Sequence, residues 1–162
     1  NGRIGRALAE KALAQCLGQP SLIALSTVIE QNKKAYYAAL QTTNHSLDIS
    51  SWLVYFSQTT LKAQAYTQDH IEFLIQKAKF FDKFDAQLNE RQRKVLLRMF
   101  REGPQGFKGG LSAENYITIT QTSRATATRD LQELLTLGAL QKRGELRYSR
   151  YFLQTLGNKA KV

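Results

Sequence analysis

The sequence lacks several features that define large classes of proteins. Its single cysteine, Cys16, cannot form a disulfide within the chain. The two histidines, His45 and His70, are too few and too far apart to join that cysteine in a structural zinc site. No apolar run approaches the roughly 18 residues of a membrane-spanning helix. No signal-peptide pattern begins the chain, so we expect a cytoplasmic protein with no membrane or metal partner.

Acidic residues are also scarce. The 162 residues include 23 Lys and Arg but only 13 Asp and Glu, for a net charge of +10. Residues 1–86 hold nine basic and seven acidic side chains, a net of +2, whereas residues 87–162 hold fourteen and six, a net of +8. A basic domain of this size attracts polyanions, nucleic acid first among them. Because the chain begins at Asn1 rather than Met, we expect it to be part of a longer protein.

Apolar residues recur at helical spacing through the first half of the chain. The predicted helices cover residues 3–17, 21–41 and 51–84. Asp48 or Ser50 is expected to cap the third, because a short side-chain oxygen satisfies unpaired N–H groups there. In that helix we expect nine apolar side chains to form the core: Trp52, Leu53, Phe56, Leu61, Ala65, Ile71, Leu74, Ile75 and Phe81.

The second half is predicted to contain shorter elements. They are helices over residues 89–101, 112–119 and 122–137, followed by hairpin strands over 139–142 and 146–153. Thr122 or Ser123 is expected to cap the third helix, and Gly138 to end it. Three helices and a hairpin within about 70 residues are in the order of a winged helix, whose third helix enters the DNA major groove. We therefore expect a mainly α protein with a small β-hairpin wing.

The opening residues 1–6, NGRIGR, resemble the second half of the Fic signature H-x-F-x-[D/E]-G-N-G-R-x-x-R. The similarity continues through YYAAL at residues 36–40 and DISSWL at residues 48–53, in the order that Fic proteins follow after their active site. It covers about residues 1–85. The implied organisation is the C-terminal helices of a Fic domain over 1–86, a winged helix over 87–157 and a tail over 158–162.

The Fic resemblance implies a site for the phosphates of a nucleotide. A glycine-bearing turn at a helix start aims N–H groups and the helix dipole at an anion. By resemblance, Asn1 and Gly2 hold the inner phosphates, and Arg3 and Arg6 hold the outer ones. The intact parent protein would transfer AMP from ATP, with Mg²⁺, to a hydroxyl group on a target protein.

The histidine and the acidic residue of the Fic motif precede Asn1 in the family and are absent from this chain. The family's histidine takes the proton from the attacking hydroxyl, and the acid holds Mg²⁺. His45 in a polar loop and His70 beside Asp69 are not expected to replace that histidine. We assign no catalytic residue, metal ligand or cofactor to this chain, and predict that it is inactive by itself.

Residues 122–152 resemble the recognition helix and wing of bacterial winged-helix regulators. Short hydroxyl and arginine side chains in the first turns of a recognition helix suit base edges and phosphates. The candidate DNA contacts of the helix are Ser123, Arg124, Thr126, Thr128 and Arg129. Those of the wing are Lys142, Arg143, Arg147 and Arg150. Five leucines are expected to form the core: Leu131, Leu134, Leu135, Leu140 and Leu153.

Two alternatives remain open at the level of sequence. A winged helix also serves as a protein-interaction module, including one that docks a second copy to form a homodimer, because fold alone does not assign function. The chain could also be a DNA-binding transcriptional regulator whose helical first half is only a scaffold. Duplex DNA and a protein target of AMP transfer are therefore the expected partners, with a homodimer left open.

Overall fold

The structure is a computed structural model that describes residues 2–18, 24–43, 48–103 and 106–154. Within them the chain is mainly helical, with a small two-stranded antiparallel sheet. The chain divides into two compact units, Asn1–Ile71 and Glu72–Val162. This division falls inside a helix, before the boundary at residue 86 that the charge distribution indicates. No helix in the described part of the chain is both long and apolar enough to cross a membrane.

The first unit is built from helices. They are α1 (Gly2–Leu17), α2 (Leu25–Gln31), α3 (Lys33–Thr43) and the first part of α4 (Ser50–Phe84). The prediction of one helix over 21–41 is wrong, because the helix is interrupted at Asn32. The Asn32 amide group donates a 3.3 Å hydrogen bond to the Val28 carbonyl, and its backbone φ of −122° is not helical. Asparagine competes for backbone groups in this way, which favours a break.

A small aromatic and aliphatic core holds the first unit together. Leu25, Val28, Ile29, Tyr36 and Ala63 are buried in it. The ring of Trp52 is partly buried against this cluster, with its centroid 5.5 Å from that of Tyr36. The packing joins α2 and α3 to α4 through residues that lie far apart in sequence.

The predicted core face of α4 is largely wrong. Six of the nine apolar side chains are exposed: Leu53, Leu61, Ala65, Ile71, Leu74 and Ile75. Trp52, Phe56 and Phe81 are partly buried. The buried apolar positions are instead Ala63, Phe73, Phe80 and Phe84. Since α4 carries apolar residues on opposite faces, its periodicity alone does not tell which face is covered.

The second unit contains the end of α4 and the shorter elements that follow. These are α5 (Glu90–Arg101), α6 (Ala113–Thr120), α7 (Arg124–Thr136), β1 (Leu140–Arg143) and β2 (Arg150–Leu153). The predicted starts of α5 and α6 are confirmed to within one residue and that of α7 to within two. Asn89, Ser112 and Ser123 each accept a hydrogen bond from a backbone N–H of the first turn. Gly138, with φ of 73°, follows the end of α7 as predicted.

The strands β1 and β2 pair in antiparallel register, from Leu140 opposite Leu153 to Arg143 opposite Arg150. The predicted strand over 146–149 is wrong, because Leu146–Tyr148 forms a short 3-10 turn. Gly144 has φ of 77°, and a Cβ atom there would lie 2.7 Å from the Tyr148 carbonyl oxygen. The chain therefore reverses over 144–149, and strand pairing resumes only at Arg150.

The core of the second unit fixes α7 against α5, α6 and the end of α4. Leu131, Leu134 and Leu140 are buried as predicted, and Leu135 and Leu153 are partly buried against the same cluster. Aromatic rings are also part of this core. Those of Phe73, Phe80, Phe84 and Phe100 contact one another in one continuous group. One face of α7 therefore packs against the core, and the opposite face is exposed.

Candidate nucleic-acid interface

A buried carboxylate anchors the inner face of α7. Asp130 is 1% exposed and accepts hydrogen bonds from Arg91 Nε at 2.8 Å and Arg91 Nη2 at 3.1 Å. It also accepts one from the Tyr116 hydroxyl at 2.8 Å and one from Asn89 Nδ2 at 3.3 Å. These donors belong to α5 with its N-cap and to α6, so one side chain joins three helices.

The electrostatics of Asp130 favour its charged form. Burial acts to raise its pKa, but the hydrogen bonds from Arg91 and Tyr116 outweigh that effect and hold the pKa below its usual value. Burial, together with the hydrogen bond to Asp130, raises the pKa of Tyr116. Sequence reasoning missed this network. The available signal was a charged residue between Ala127, Leu131 and Leu134 on the core-facing side of α7.

The hydroxyl groups at the start of α7 mostly serve the helix itself. Ser123 Oγ accepts a hydrogen bond from Thr126 N at 3.2 Å and lies 3.0 Å from Thr126 Oγ1. Thr128 Oγ1 donates to the Arg124 carbonyl at 2.9 Å. Of these predicted contact residues, Ser123, Arg124 and Thr128 are exposed, and Thr126 is half-buried.

Two arginines carry the positive charge of the exposed face of α7. The Arg124 side chain is 79% exposed, and its Nη2 lies 3.8 Å from Glu114 Oε1. Because both side chains are exposed to water, this ion pair contributes little to stability. Arg129 is exposed and forms no ion pair within the described residues. Both guanidinium groups are therefore exposed to solvent on α7.

A shallow depression of about 630 Å³ runs along this exposed face. It includes a residue that sequence reasoning did not single out, Gln132, one turn beyond Thr128. The lining residues are Gln87, Ala125, Thr128, Arg129, Gln132, Glu133, Thr136 and Leu137. The face thus combines cationic, hydroxyl and amide groups with the carboxylate of Glu133.

The hairpin contributes further cations. Lys142 and Arg143 are exposed on β1, and the Arg143 guanidinium lies 4.9 Å from the centre of the Phe152 ring. Arg150 is half-buried, and its Nη1 donates to the Ser149 carbonyl at 3.0 Å. The side chain of Arg147, a predicted contact, lies outside the described residues.

A second depression, of about 260 Å³, lies where α6, α7 and the hairpin meet. Arg124 and Thr128 of α7 line it together with Lys142 of β1. Its other lining residues are Ala113, Glu114, Leu146, Ser149 and Tyr151. Residues predicted separately for the recognition helix and for the wing are therefore brought to one surface.

The predicted phosphate site is described only in part. Asn1 lies outside the described residues, as does the side chain of Arg3. Gly2 begins α1, so Arg3 and Arg6 are about one turn apart along that helix. Arg6 is half-buried. His70 lies on α4 and stacks on Tyr66, with ring centroids 6.3 Å apart.

No protein-family model matches this chain, and no curated protein matches it either.

Proposed function

We propose that the second unit is a winged-helix domain that binds duplex DNA. The observation that carries this proposal is the depression shared by α7 and the hairpin, where Arg124, Thr128 and Lys142 face one space. Residues 87–162 supply the matching charge, with fourteen basic and six acidic side chains for a net of +8. A basic surface around an exposed helix is the electrostatic footprint of a DNA-binding domain.

In this proposal α7 lies in the major groove with its first turns against base edges. Arg124 pairs with a guanine through two hydrogen bonds, since its planar guanidinium matches the acceptors O6 and N7. Lys142 and Arg143 of the hairpin contact phosphates, which fix the register of the protein on the duplex without reading sequence. Release of condensed counterions supplies much of the affinity.

The Asp130 network has a positioning role in the same mechanism. It ties the inner side of α7 to Arg91, Tyr116 and Asn89, so the exposed side is held before DNA arrives. A preorganised helix loses less conformational entropy on binding than a mobile one. Asp130 itself is buried and touches no DNA in this proposal.

A mobility-shift titration at about 50 and about 200 mM salt tests the proposal, because log affinity should fall linearly with log salt by about 0.9 per neutralised phosphate. Lys142→Gln should weaken binding to every duplex and reduce that slope by about 0.9. Lys62→Gln is the matched control, since Lys62 is exposed on α4 in the first unit and should leave both quantities unchanged. Absence of a shift at the lower salt would overturn DNA binding and favour the protein-interaction alternative.

Sequence preference tests the role of Arg124. We expect Arg124→Ala to cost about 1–3 kcal/mol at the preferred site and to relax preference at one base pair. Glu114→Gln separates this effect from loss of the nearby ion pair, because it removes the acidic partner and leaves Arg124 in place. A uniform loss across all sequences, with no base pair relaxed, would make Arg124 a phosphate contact instead.

For the first unit, we propose that it derives from a Fic domain whose parent transfers AMP. The start of α1 at Gly2, with Arg6 in the next turn, supports this proposal. Because the chain holds neither the histidine nor the acid of the motif, we expect no transfer from labelled ATP and Mg²⁺ to proteins of a cell extract. Reproducible label that disappears in Arg6→Ala would contradict this expectation.

A further inference from the structure

The part of α4 that belongs to the first unit has one buried and one exposed side. Thr59 and Ala63 are buried on the side that faces the core. Each residue of an α-helix advances about 100° around the helix axis, so a residue two positions away, such as Leu61, lies on the opposite side. Six exposed residues follow that opposite side, and we call them the uncharged stripe: Val54, Ser57, Leu61, Gln64, Gln68 and Ile71.

The composition of the uncharged stripe is unusual for a surface in water. Half of its residues are large apolar side chains, of which Leu61 is 66% and Val54 58% exposed. Over residues 50–71 the charged residues are Lys62 and Asp69, and neither belongs to the stripe. Leaving apolar side chains in water forgoes the favourable free energy of their burial. A continuous exposed surface of this kind marks a site of contact with another protein.

The spacing of the stripe indicates which kind of surface fits it. Its residues follow one another at intervals of three, four, three, four and three. This is the 3.5-residue repeat with which two helices pack side by side in a coiled coil. Gln64 and Gln68 lie between the apolar residues Leu61 and Ile71. A polar residue in such a seam favours a partner helix with a polar residue at the same place, and a second α4 supplies one.

The distribution of charge also favours a second copy at this place. The chain has a net charge of +10, so two copies repel one another over most of their surface. Residues 1–86 contribute only +2 of that charge, and the stripe contributes none. Lys62 and Asp69, the charged residues of the same helix segment, are of opposite sign. The uncharged stripe is therefore a surface along which two copies can meet without bringing like charges into contact.

The area of the stripe sets the strength of such a contact. From Val54 to Ile71 the helix rises about 26 Å. One side of a helix of this length supplies less than the roughly 800 Å² per partner of a standard interface. Weak, concentration-dependent association is the behaviour expected of a contact of this size.

We propose that the chain forms a homodimer in which the uncharged stripe of α4 packs side by side against the same stripe of a second copy. A symmetric dimer uses one surface patch on both subunits, as this arrangement requires. Val54, Leu61 and Ile71 leave water in the contact, and the glutamines of the two copies hydrogen-bond to one another. None of these residues is assigned to DNA, so the dimer does not depend on the proposed DNA binding.

Three substitutions test the stripe. Leu61→Glu places a like charge from each copy in the contact, which should raise the dissociation constant of the dimer at least tenfold. Leu61→Met keeps an apolar side chain of similar volume and should preserve the dimer. Leu74→Glu is the matched control, because Leu74 is 48% exposed on the same helix but does not belong to the stripe. Circular dichroism verifies that each variant is folded.

Sedimentation velocity of the full 162-residue chain measures the association, over concentrations from roughly 1 μM to 1 mM, which bracket a weak dimer. The average mass should rise from that of one chain toward that of two for the unsubstituted protein, Leu61→Met and Leu74→Glu. Leu61→Glu should stay close to one chain. Raising the salt from about 50 to about 500 mM should not weaken the dimer, because salt screens charges and the contact holds none.

Several outcomes would overturn the dimer. The mass of one chain at every concentration would show that a second copy does not cover the stripe. A dimer that Leu61→Glu leaves intact would place the contact elsewhere, and an equal loss with Leu74→Glu would make the effect unspecific. Dissociation at the higher salt would indicate a contact held by charge. DNA binding is measured separately by mobility shift, so either proposal can fail while the other stands.

Discussion

Asp130 shows how one buried side chain can link three helices. Its carboxylate is buried and depends on Arg91, Tyr116 and Asn89 for hydrogen bonds. Removing one member of such a network leaves the other groups without hydrogen-bond partners. This costs more free energy than the lost hydrogen bond itself contributes to stability. Neither Arg91 nor Tyr116 could be assigned to Asp130 from the sequence, because their separation in the chain gives no local signal.

We expect Asp130→Ala to lower the free energy of unfolding of the second unit by about 2–3 kcal/mol, since Tyr116 and Asn89 lose their acceptor. Tyr116→Phe, which leaves the acceptor with other donors, should cost about 1 kcal/mol. Asp69→Ala on the exposed side of α4 is the control and should cost little. Urea unfolding followed by circular dichroism measures all three. Equal losses for Asp130→Ala and Asp69→Ala would remove the structural role of the network.

The pKa of Asp130 gives this network a pH dependence with a definite sign. Because folding lowers the pKa, the carboxylate contributes stability that is fully present above the pKa of an unfolded aspartate, about 3.9. This contribution is lost as pH falls through the lower pKa of the folded state. The stability difference between the unsubstituted protein and Asp130→Asn should therefore be constant above about pH 5 and shrink below about pH 4. A difference that grows on acidification would contradict the assignment.

Elements whose ends depend on short-range chemistry could be predicted from the sequence. Asn89, Ser112 and Ser123 cap helices because their side chains reach backbone N–H groups a few residues away. The covered face of α4 could not be predicted, since both of its faces carry apolar residues and only tertiary contacts select one. The exposed arginines of α7 could be predicted from their residue type. The place of Gln132 beside them and the left-handed conformation of Leu146 could not, because both depend on the course of the backbone.

The hairpin also depends on a glycine at close range. A Cβ atom on Gly110, where φ is 82°, would lie 2.7 Å from Phe152 Cζ and 3.0 Å from Arg150 Cβ. We expect Gly110→Ala to destabilise the second unit by about 1–3 kcal/mol beyond the cost of the backbone alone. Gly109→Ala measures the cost of the backbone conformation alone, because the φ of Gly109 is 78° and no atom lies within 4 Å of its added Cβ. If the two variants unfold at the same urea concentration, steric contact with β2 is not what requires glycine.

At the scale of the whole molecule, the two units have cores of unequal size. Among the described residues, fourteen buried side chains form the core of the second unit and five form that of the first. Apolar burial is the main favourable term in folding, and a small core leaves a unit marginally stable. The cores have no buried residue in common, although α4 contributes to both. Unfolding is therefore expected to depart from a single two-state transition.

Trp52, the only tryptophan, packs against the core of the first unit and reports on it alone. In urea, we expect the tryptophan fluorescence to change when the first unit unfolds. The second unit should lose its helical circular-dichroism signal at a higher urea concentration. Leu25→Ala should shift only the tryptophan transition, at a cost of about 2–5 kcal/mol, because it leaves a cavity in the smaller core. Phe80→Ala should shift only the later transition, by about 3–5 kcal/mol. If one transition is seen by both probes, and either substitution moves it for both, then α4 couples the cores into one cooperative unit. That outcome would contradict independent unfolding.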